Sequence, residues 1–301
     1  MLSIEEKTGF HRGELAVQRR AGVTSDAARL AGMLAPAHLG GGVARFLAQR
    51  EFAALTARDQ DGRLWISPLL GPAGFLDAHG TTLDVHALPA DAELSVGQPA
   101  GLIAVEFAIR RRLRVNGTLT TVGVNGLSIE ADQAYGNCPC YIQQRVMERV
   151  PVAGGASEVA ASDGLSPAQQ ALVRDADTLF LGTVHPTRGA DASHKGGRPG
   201  FVRIDGGELW WPDYAGNNMF NSMGNLAIDP TAALLFVDFA SGRTLRLSGT
   251  AELEWITPGS PGDDDGTGRR IRFRPDRVMA AALPVRSGEV NPSPHNPSLA
   301  A

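Results

Sequence analysis

Lys195, Arg198, Arg203, Arg243 and Arg246 crowd one stretch of the chain, together with a Gly216-Asn217-Asn218 turn and Ser222 one helical turn further on. The start of a helix offers free amides and partial positive charge, which makes it a ready anion site. A strand-borne Lys or Arg adds charge-assisted hydrogen bonds to the same oxygens. The chemistry this suits is phosphate recognition, although a solvated strand face beside an ordinary helix cap has the same spacing.

Other reactive residue types carry less. Ser193 and His194 are neighbours on an expected strand and point to opposite faces, so they cannot pair as nucleophile and base. Cys138 and Cys140, in Cys-Pro-Cys, are the only cysteines and cannot build a disulfide framework. With seven scattered histidines and no second cysteine pair, they do not complete a four-ligand metal site. They read either as a redox couple or as packing and capping residues at a helix start. Arg110-Arg111-Arg112 reads as a solvated hairpin tip, with Arg111 aligned to Arg243. Trp210 and Trp211 are consecutive, so one ring faces the core and the other is free to border a ligand.

The elements that must position these groups come from an internal repeat. Ser67-Pro-Leu-Leu-Gly-Pro-Ala-Gly-Phe75 aligns with Ser193-His-Lys-Gly-Gly-Arg-Pro-Gly-Phe201 at an offset of 126. Leu102 to Ala108 aligns with Leu234 to Ala240, and Leu113-Arg-Val-Asn-Gly-Thr118 with Leu245-Arg-Leu-Ser-Gly-Thr250, both at offset 132. The second copy therefore carries six extra residues, in the Gly216 to Pro230 segment. There Met219, Phe220, Met223 and Leu226 recur at helical spacing, with Asn217 or Asn218 as the cap and Pro230 as the stop.

Around that segment the second copy reads as a β-meander. Strands are expected over 179–184 and 200–204, with a turn at Asp205-Gly-Gly207 leading into Glu208 to Trp211. A second hairpin is expected over Ala233 to Phe239 and Thr244 to Trp255. The first copy has Pro68-Leu69 in place of His194-Lys195 and lacks the Gly-Asn-Asn turn, so only the second copy is equipped for a phosphate. The fold class is mainly β with short helices, two tandem split β-barrels. Expected boundaries are an N-terminal helical segment 1–44, a first barrel 45–135, a linker helix region 136–170 with its helix over Asn137 to Val150, a second barrel 171–285 and a flexible tail 286–301. Residues 258–268 read as a polar surface loop.

Composition fits this picture: 301 residues, 43% hydrophobic, 20% charged, mean hydropathy −0.10. A formal charge of −4 and a pI near 6.0 argue against nucleic acid as a partner. No run approaches the roughly 20 apolar residues of a spanning helix. The opening residues lack the basic and apolar regions of an export signal, so the expectation is a cytoplasmic protein with no membrane partner.

Ser193 to Arg203, Trp211-Pro-Asp-Tyr-Ala-Gly-Asn-Asn-Met-Phe-Asn-Ser222 and Leu234 to Phe239 resemble motifs of the FMN-binding split-barrel superfamily of pyridoxamine 5′-phosphate oxidase-like proteins. The resemblance runs from about residue 45 to 255, and Gly136-Asn-Cys-Pro-Cys-Tyr-Ile-Gln143 resembles a segment of its two-barrel subgroup. It implies FMN as cofactor, lying between two barrels of one chain or of a four-barrel homodimer. Cofactor contacts are then expected from Ser193, His194, Lys195, Gly197, Trp211, Asp213, Asn217, Asn218, Ser222 and Arg243. Lys195, Arg198 and Arg243 are candidates to stabilise a reduced, anionic flavin. The implied activity is an FMN-dependent oxidoreductase with a small-molecule redox substrate or electron donor. The alternatives are a non-catalytic carrier or sensor of flavin, haem or deazaflavin, and a purely structural barrel pair. Two departures matter: Cys140 stands where the subgroup often has Lys, and residues 269–301 do not match the substrate-gripping segment of true pyridoxamine phosphate oxidases.

Overall fold

The computed structural model describes residues 9–90, 93–150, 160–162 and 164–300. Among these residues seventeen strands form two large antiparallel sheets and one small one. The first barrel comprises β1 (Phe52–Arg58), β2 (Leu64–Leu70), β3 (Leu76–His79), β4 (Thr82–Val85), β5 (Pro99–Glu106), β6 (Arg111–Gly123) and β7 (Gly126–Gly136), in the order β2-β1-β5-β6-β7-β4-β3. Two short strands follow, β8 (Met147–Arg149) and β9 (Ala160–Ser162). The second barrel comprises β10 (Thr178–His185), β11 (Gly189–Gly196), β12 (Arg203–Asp205), β13 (Glu208–Pro212), β14 (Thr231–Val237), β15 (Arg243–Trp255) and β16 (Arg269–Ala282). Its order, β11-β10-β14-β15-β16-β13-β12, repeats the first element for element.

The duplication extends to an irregularity. The β6–β7 ladder slips register at Asn116/Gly117 and the β15–β16 ladder at Ser248/Gly249, positions that correspond at offset 132. A glycine is required at both: a Cβ on Gly117 would collide with the Glu130 carbonyl, and one on Gly249 with that of Arg274.

Among the described residues three large apolar clusters and one small one, of Leu34, Tyr135 and Met219, hold the molecule together. One fills each barrel, built on Leu55, Leu102, Val115 and Ile129 in the first and on Leu181, Leu234, Leu247 and Phe273 in the second. The third joins the barrels, with Phe52, Ile66, Ile103 and Phe107 facing Phe180, Ala192, Leu235 and Phe239. Phe107 and Phe239 occupy equivalent places in the two copies and stack edge-on at 5.0 Å. Each fully buried Phe contributes on the order of 1.5–3 kcal/mol, so this joint is part of the folding core.

From residue 12 onward come α1 (Arg12–Arg20), α2 (Thr24–Ala28) and a 3₁₀ turn (Ala31–Leu34), followed by α3 (Gly42–Ala48), while residues 1–8 of the expected N-terminal segment lie outside the described residues. The expected linker helix over 137–150 is absent. That stretch is a turn followed by β8, because the end of the chain takes its backbone groups: Gln144 forms a bridge with Asn291, and β8 pairs with β17 (Val285–Ser287). A helix does form later, α4 (Pro167–Asp175), started by a Ser166–Gln169 capping box with Pro at its first turn. The expected free tail is docked as well. Gln143 and Asn296 exchange side-chain hydrogen bonds of 3.0 and 2.9 Å, and Ser293 N–H donates to Gln143 at 2.8 Å. Among the described residues no helix is long and apolar enough to cross a membrane.

The last helix, α5 (Asn221–Leu226), lies in the segment that only the second copy has. It starts later than Asn217 or Asn218, after Phe220 in a left-handed conformation (φ 59°) and without a side-chain cap. Asn217 instead caps a turn, its side-chain oxygen accepting from Met219 N–H at 3.2 Å. The strand expected from Gly200 begins only at Arg203, since Arg198 to Phe201 close a turn.

Candidate functional site

Alternation along β11 puts Asp191, Ser193 and Lys195 on one face and Ala192 and His194 on the other. From the first face Ser193 and Lys195 line a cleft open to solvent, which His194 and Gly196 also border. Trp211 enters it from β13 and Asp213 from just after that strand, Asn217, Asn218 and Phe220 to Met223 from the loop and start of α5, and Arg269 from β16. The first barrel supplies Arg112 and Arg114 from β6, and the segment after it supplies Asn137, Cys138, Cys140 and Tyr141. Both barrels of one chain therefore complete the cleft.

Two buried carboxylates organise the charge. Asp191 receives Arg114 at 2.8 Å, Asn116 at 3.0 Å and the Ser222 hydroxyl at 3.0 Å, and Ser222 lies 3.1 Å from the Ser193 hydroxyl. Asp213 receives Arg269 at 2.9 Å and Lys195 at 3.4 Å. Burial lowers the Lys195 ammonium from its ordinary range, as does Arg112, while Asp213 raises it. Arg112 is pushed down to about 10, by burial first and Arg114 second, and so remains cationic at neutral pH. Four cations, Arg112, Arg114, Lys195 and Arg269, thus face two carboxylates. The surplus favours a dianion in a site sheltered from water.

His194 stays neutral. Burial, then Arg112, then Arg145, hold it well below its ordinary value. Arg112 donates to the His194 carbonyl at 2.8 Å and lies 3.0 Å from its Nδ1. A guanidinium can only donate, so Nδ1 accepts and Nε2 carries the proton. The ring itself packs against Phe180 and Phe107.

Of the ten residues expected from sequence, Ser193, His194, Lys195, Trp211, Asp213, Asn217, Asn218 and Ser222 line the cleft. Gly197 does not; it packs under Phe201, whose ring a Cβ there would strike. Arg243 does not either. It opens β15 at a hairpin tip, its side chain 59% exposed and paired with Asp238 at 3.2 Å. Arg198 donates to the Pro297 carbonyl and Arg203 to Asp264, both away from the cleft. Arg246 reaches into the first barrel, 2.9 Å from the Ser67 hydroxyl.

Arg112 and Arg114 were missing from the expectation, with Arg112 misplaced at a solvated hairpin tip. The signal was present: Arg112, Arg114 and Asn116 alternate with core residues Leu113 and Val115, so they share one buried face. Only Arg111 of the triplet matches the solvated reading, being exposed beside Phe46. The equivalent place in the first copy is closed. Trp65 stands there at the position of Asp191 and Leu69 at that of Lys195, and Arg246 lies over the Trp65 ring at 5.7 Å.

Whether this cleft suits an acceptor-rich ligand such as a flavin phosphate is tested by its unpaired groups. Trp211 Nε1, Asn137 Nδ2, and Nε of Arg112 and Arg114 are buried and lack a partner within the protein. All four are donors, and a buried donor left unmade costs about 1–3 kcal/mol. The residues fit.

Residues 165–258 match the family model described as pyridoxamine 5′-phosphate oxidase. No curated protein sequence matches the chain. Solved structures similar to part of it include the haem storage protein HutZ of Vibrio cholerae (12% identity, 40% of this chain, 96% of that one, TM-score 0.32). Another is an FAD-binding protein of Mycobacterium smegmatis (11% identity, 42% and 99%, TM-score 0.27). A third is a Clostridium acetobutylicum protein related to general stress protein 26, of the pyridoxinephosphate oxidase family (18% identity, 39% and 89%, TM-score 0.27). The matched segment, less than half of the chain, spans α4 to the end of β15 and carries Ser193, Lys195, Asp213 and Ser222 of the cleft, and over it the second barrel is similar to the pyridoxamine 5′-phosphate oxidase family.

Proposed function

We propose that the cleft binds FMN and that the protein is an FMN-dependent oxidoreductase. The observation that carries this reading is the excess of buried cations and unpaired donors in a cleft shared by both barrels. In this reading Lys195, Asn217, Asn218 and Ser222 hold the phosphate and ribityl oxygens. The Ser193 to Gly196 backbone borders the ring system, and Trp211 closes the apolar side. FMN, when bound, supplies the capacity to accept and pass on hydride or electrons. The chain's own part is to bind, to orient and to set the charge around it. Arg112, cationic at neutral pH, and Lys195, which donates to Asp213, would favour a reduced, anionic cofactor. His194 is neutral, with Nδ1 engaged by Arg112 and a buried Nε2–H, so it is not poised to take up a proton. The donor and acceptor are small redox molecules that reach the open side of the cleft, and one chain provides a full site.

The test is an absorbance spectrum of the purified protein, followed by acid release and identification of the chromophore. Released FMN, with at least a tenfold weaker affinity for the Lys195→Ala/Asn218→Ala double variant by fluorescence titration, supports the reading. Failure of the protein to take up added FMN, or unchanged affinity in the variant, overturns the assignment. Bound FMN that neither NADH nor NADPH reduces would favour a carrier or sensor over an enzyme.

A further inference from the structure

His194 is an unusual residue for the joint it fills. It is 3% exposed, its ring meets Phe180 of its own barrel at 5.6 Å and Phe107 of the other at 6.3 Å, and its Nε2 is buried with no partner in the protein. An apolar side chain would pack there without stranding a polar group, which costs free energy when buried. What the imidazole adds is an acceptor: Nδ1 lies 3.0 Å from Nη1 of Arg112, and the His194 carbonyl lies 2.8 Å from the same nitrogen. Both hydrogen bonds that Arg112 makes among the described residues thus end on His194, across the junction of the two barrels. With Nη1 tied at two points the planar guanidinium keeps one orientation, and its Nε, buried and without a protein partner, is left for a ligand of the cleft that Arg112 lines.

The internal duplication supplies a comparison. At offset 126 the place of His194 is taken by Pro68, and at offset 132 that of Arg112 by Thr244. The closed, reciprocal site therefore lacks the guanidinium and the imidazole together, although Arg114 keeps its counterpart in Arg246. A histidine that only packed the joint gives no reason for this pairing; one that serves the guanidinium does.

We infer that His194 is a positioning residue, whose imidazole acts through Arg112 by fixing the guanidinium so that its free edge meets the ligand of the cleft. The inference rests on the FMN reading for the identity of that ligand, and on the hydrogen bonds alone for the contact. An arginine held in one rotamer acts on the charge that reduction adds to a bound cofactor without first having to be ordered. Without Nδ1 the long side chain regains its other rotamers, and that attraction weakens.

The midpoint potential of bound FMN, set against that of free FMN, reads the ratio of the affinities for reduced and oxidised cofactor. Arg112→Met is expected to lower this ratio at least tenfold, about 30 mV for a two-electron couple. His194→Leu keeps an apolar side chain against Phe180 and Phe107, yet should lower the ratio to within about threefold of Arg112→Met, and the double variant should fall no further. His194→Asn, whose side-chain oxygen replaces Nδ1 as acceptor, should return the ratio to within about threefold of the parent. The parent ratio in His194→Leu, losses that add in the double variant, or an asparagine no better than leucine would overturn the proposal. A second measurement needs no cofactor: in the full chain labelled with ¹⁵N-histidine, the Nδ1 signal that His194→Asn deletes should move toward that of a free acceptor nitrogen in Arg112→Met. An unmoved signal overturns the contact whether or not FMN is taken up. A chain that shows the shift but takes up no FMN sinks the FMN reading and leaves His194 as the residue that positions Arg112.

Discussion

Asp191 decides the electrostatics of the cleft. Its carboxylate is 2% exposed and receives Arg114 from the other barrel, Asn116 and Ser222, so it joins three elements at one point. Arg114 is equally buried, its guanidinium raised above its ordinary value by Asp191 and then Tyr135, against the pull of burial. Removing one member of a buried pair leaves the other charge without compensation, which costs about 3–5 kcal/mol. Asp191→Ala is therefore expected to lose about that much in urea unfolding at unchanged m-value. Asp191→Ala combined with Arg114→Met should recover most of the loss, because both charges are then gone. Equal destabilisation in the single and double variants would show that Asp191 matters for shape and not for its charge.

At the scale of elements, α1 is the clamp on α5. Gly13 and Gly224 let the two helices touch: a Cβ on either would collide with the other's helix. Gln18 donates to the Met219 carbonyl at 3.0 Å, and Glu14 accepts from His11 N–H at 2.7 Å and from the Asn221 side chain. Burial pushes the Glu14 carboxyl up to about 7 from an ordinary value of 4.5, so the folded chain keeps a proton that the unfolded chain releases. Stability then falls as pH rises from 4.5 to about 7. Burial, then His185, lowers His11 from 6.5 to about 3, so its contribution is lost in the opposite direction, as pH falls below 6.5. Between 4.5 and 6.5 the two slopes oppose each other. Glu14→Gln removes the first slope only. The variant is expected to be more stable than the parent at about pH 8, by up to roughly 3 kcal/mol, and to lose stability more steeply on acidification. Parallel stability curves for the two proteins between about pH 5 and 8 would exclude this proton. Legibility in the sequence followed the same division between local and distant causes. The duplicated meander was readable because Leu113 to Thr118 and Leu245 to Thr250 carry their alternation within themselves. The start of α5 was misread because Asn217 satisfies the loop's own Met219 amide instead of capping the helix. The linker was misread because its partner, Asn291, lies at the far end of the chain, and no local pattern announces it. Arg112 was misread because a charge at a hairpin normally faces water, whereas here it donates to the His194 carbonyl of the second barrel.

For the molecule as a whole, the duplication explains why there is one equipped cleft in a chain of two like barrels. The barrels meet face to face through the third apolar cluster, and that contact brings Arg112 and Arg114 of one copy against β11 of the other. The reciprocal contact brings Arg246 to Ser67 and over the ring of Trp65, which stands at the position of Asp191. The close approach depends on Gly101 of β5, which lies against β11: a Cβ there would stand 2.8 Å from the backbone N, Cα and C of Asp191. Backbone cannot step aside as a flexible side chain can, so Gly101→Val must separate the barrels locally. Overpacking of this kind costs about 1–3 kcal/mol. Because the separation falls at Asp191, the Arg114 pair should lengthen and the cleft should lose its cross-barrel cations. The variant, which alters no residue that lines the cleft, is thus expected to bind FMN at least tenfold more weakly, about 1.4 kcal/mol, as well as to unfold earlier. Gly123→Ala is the control, since a Cβ there meets nothing within 4 Å. Should Gly101→Val unfold earlier yet keep the parent affinity, the first barrel would be a scaffold only, and the cations that matter would be those of the second barrel, Lys195 and Arg269.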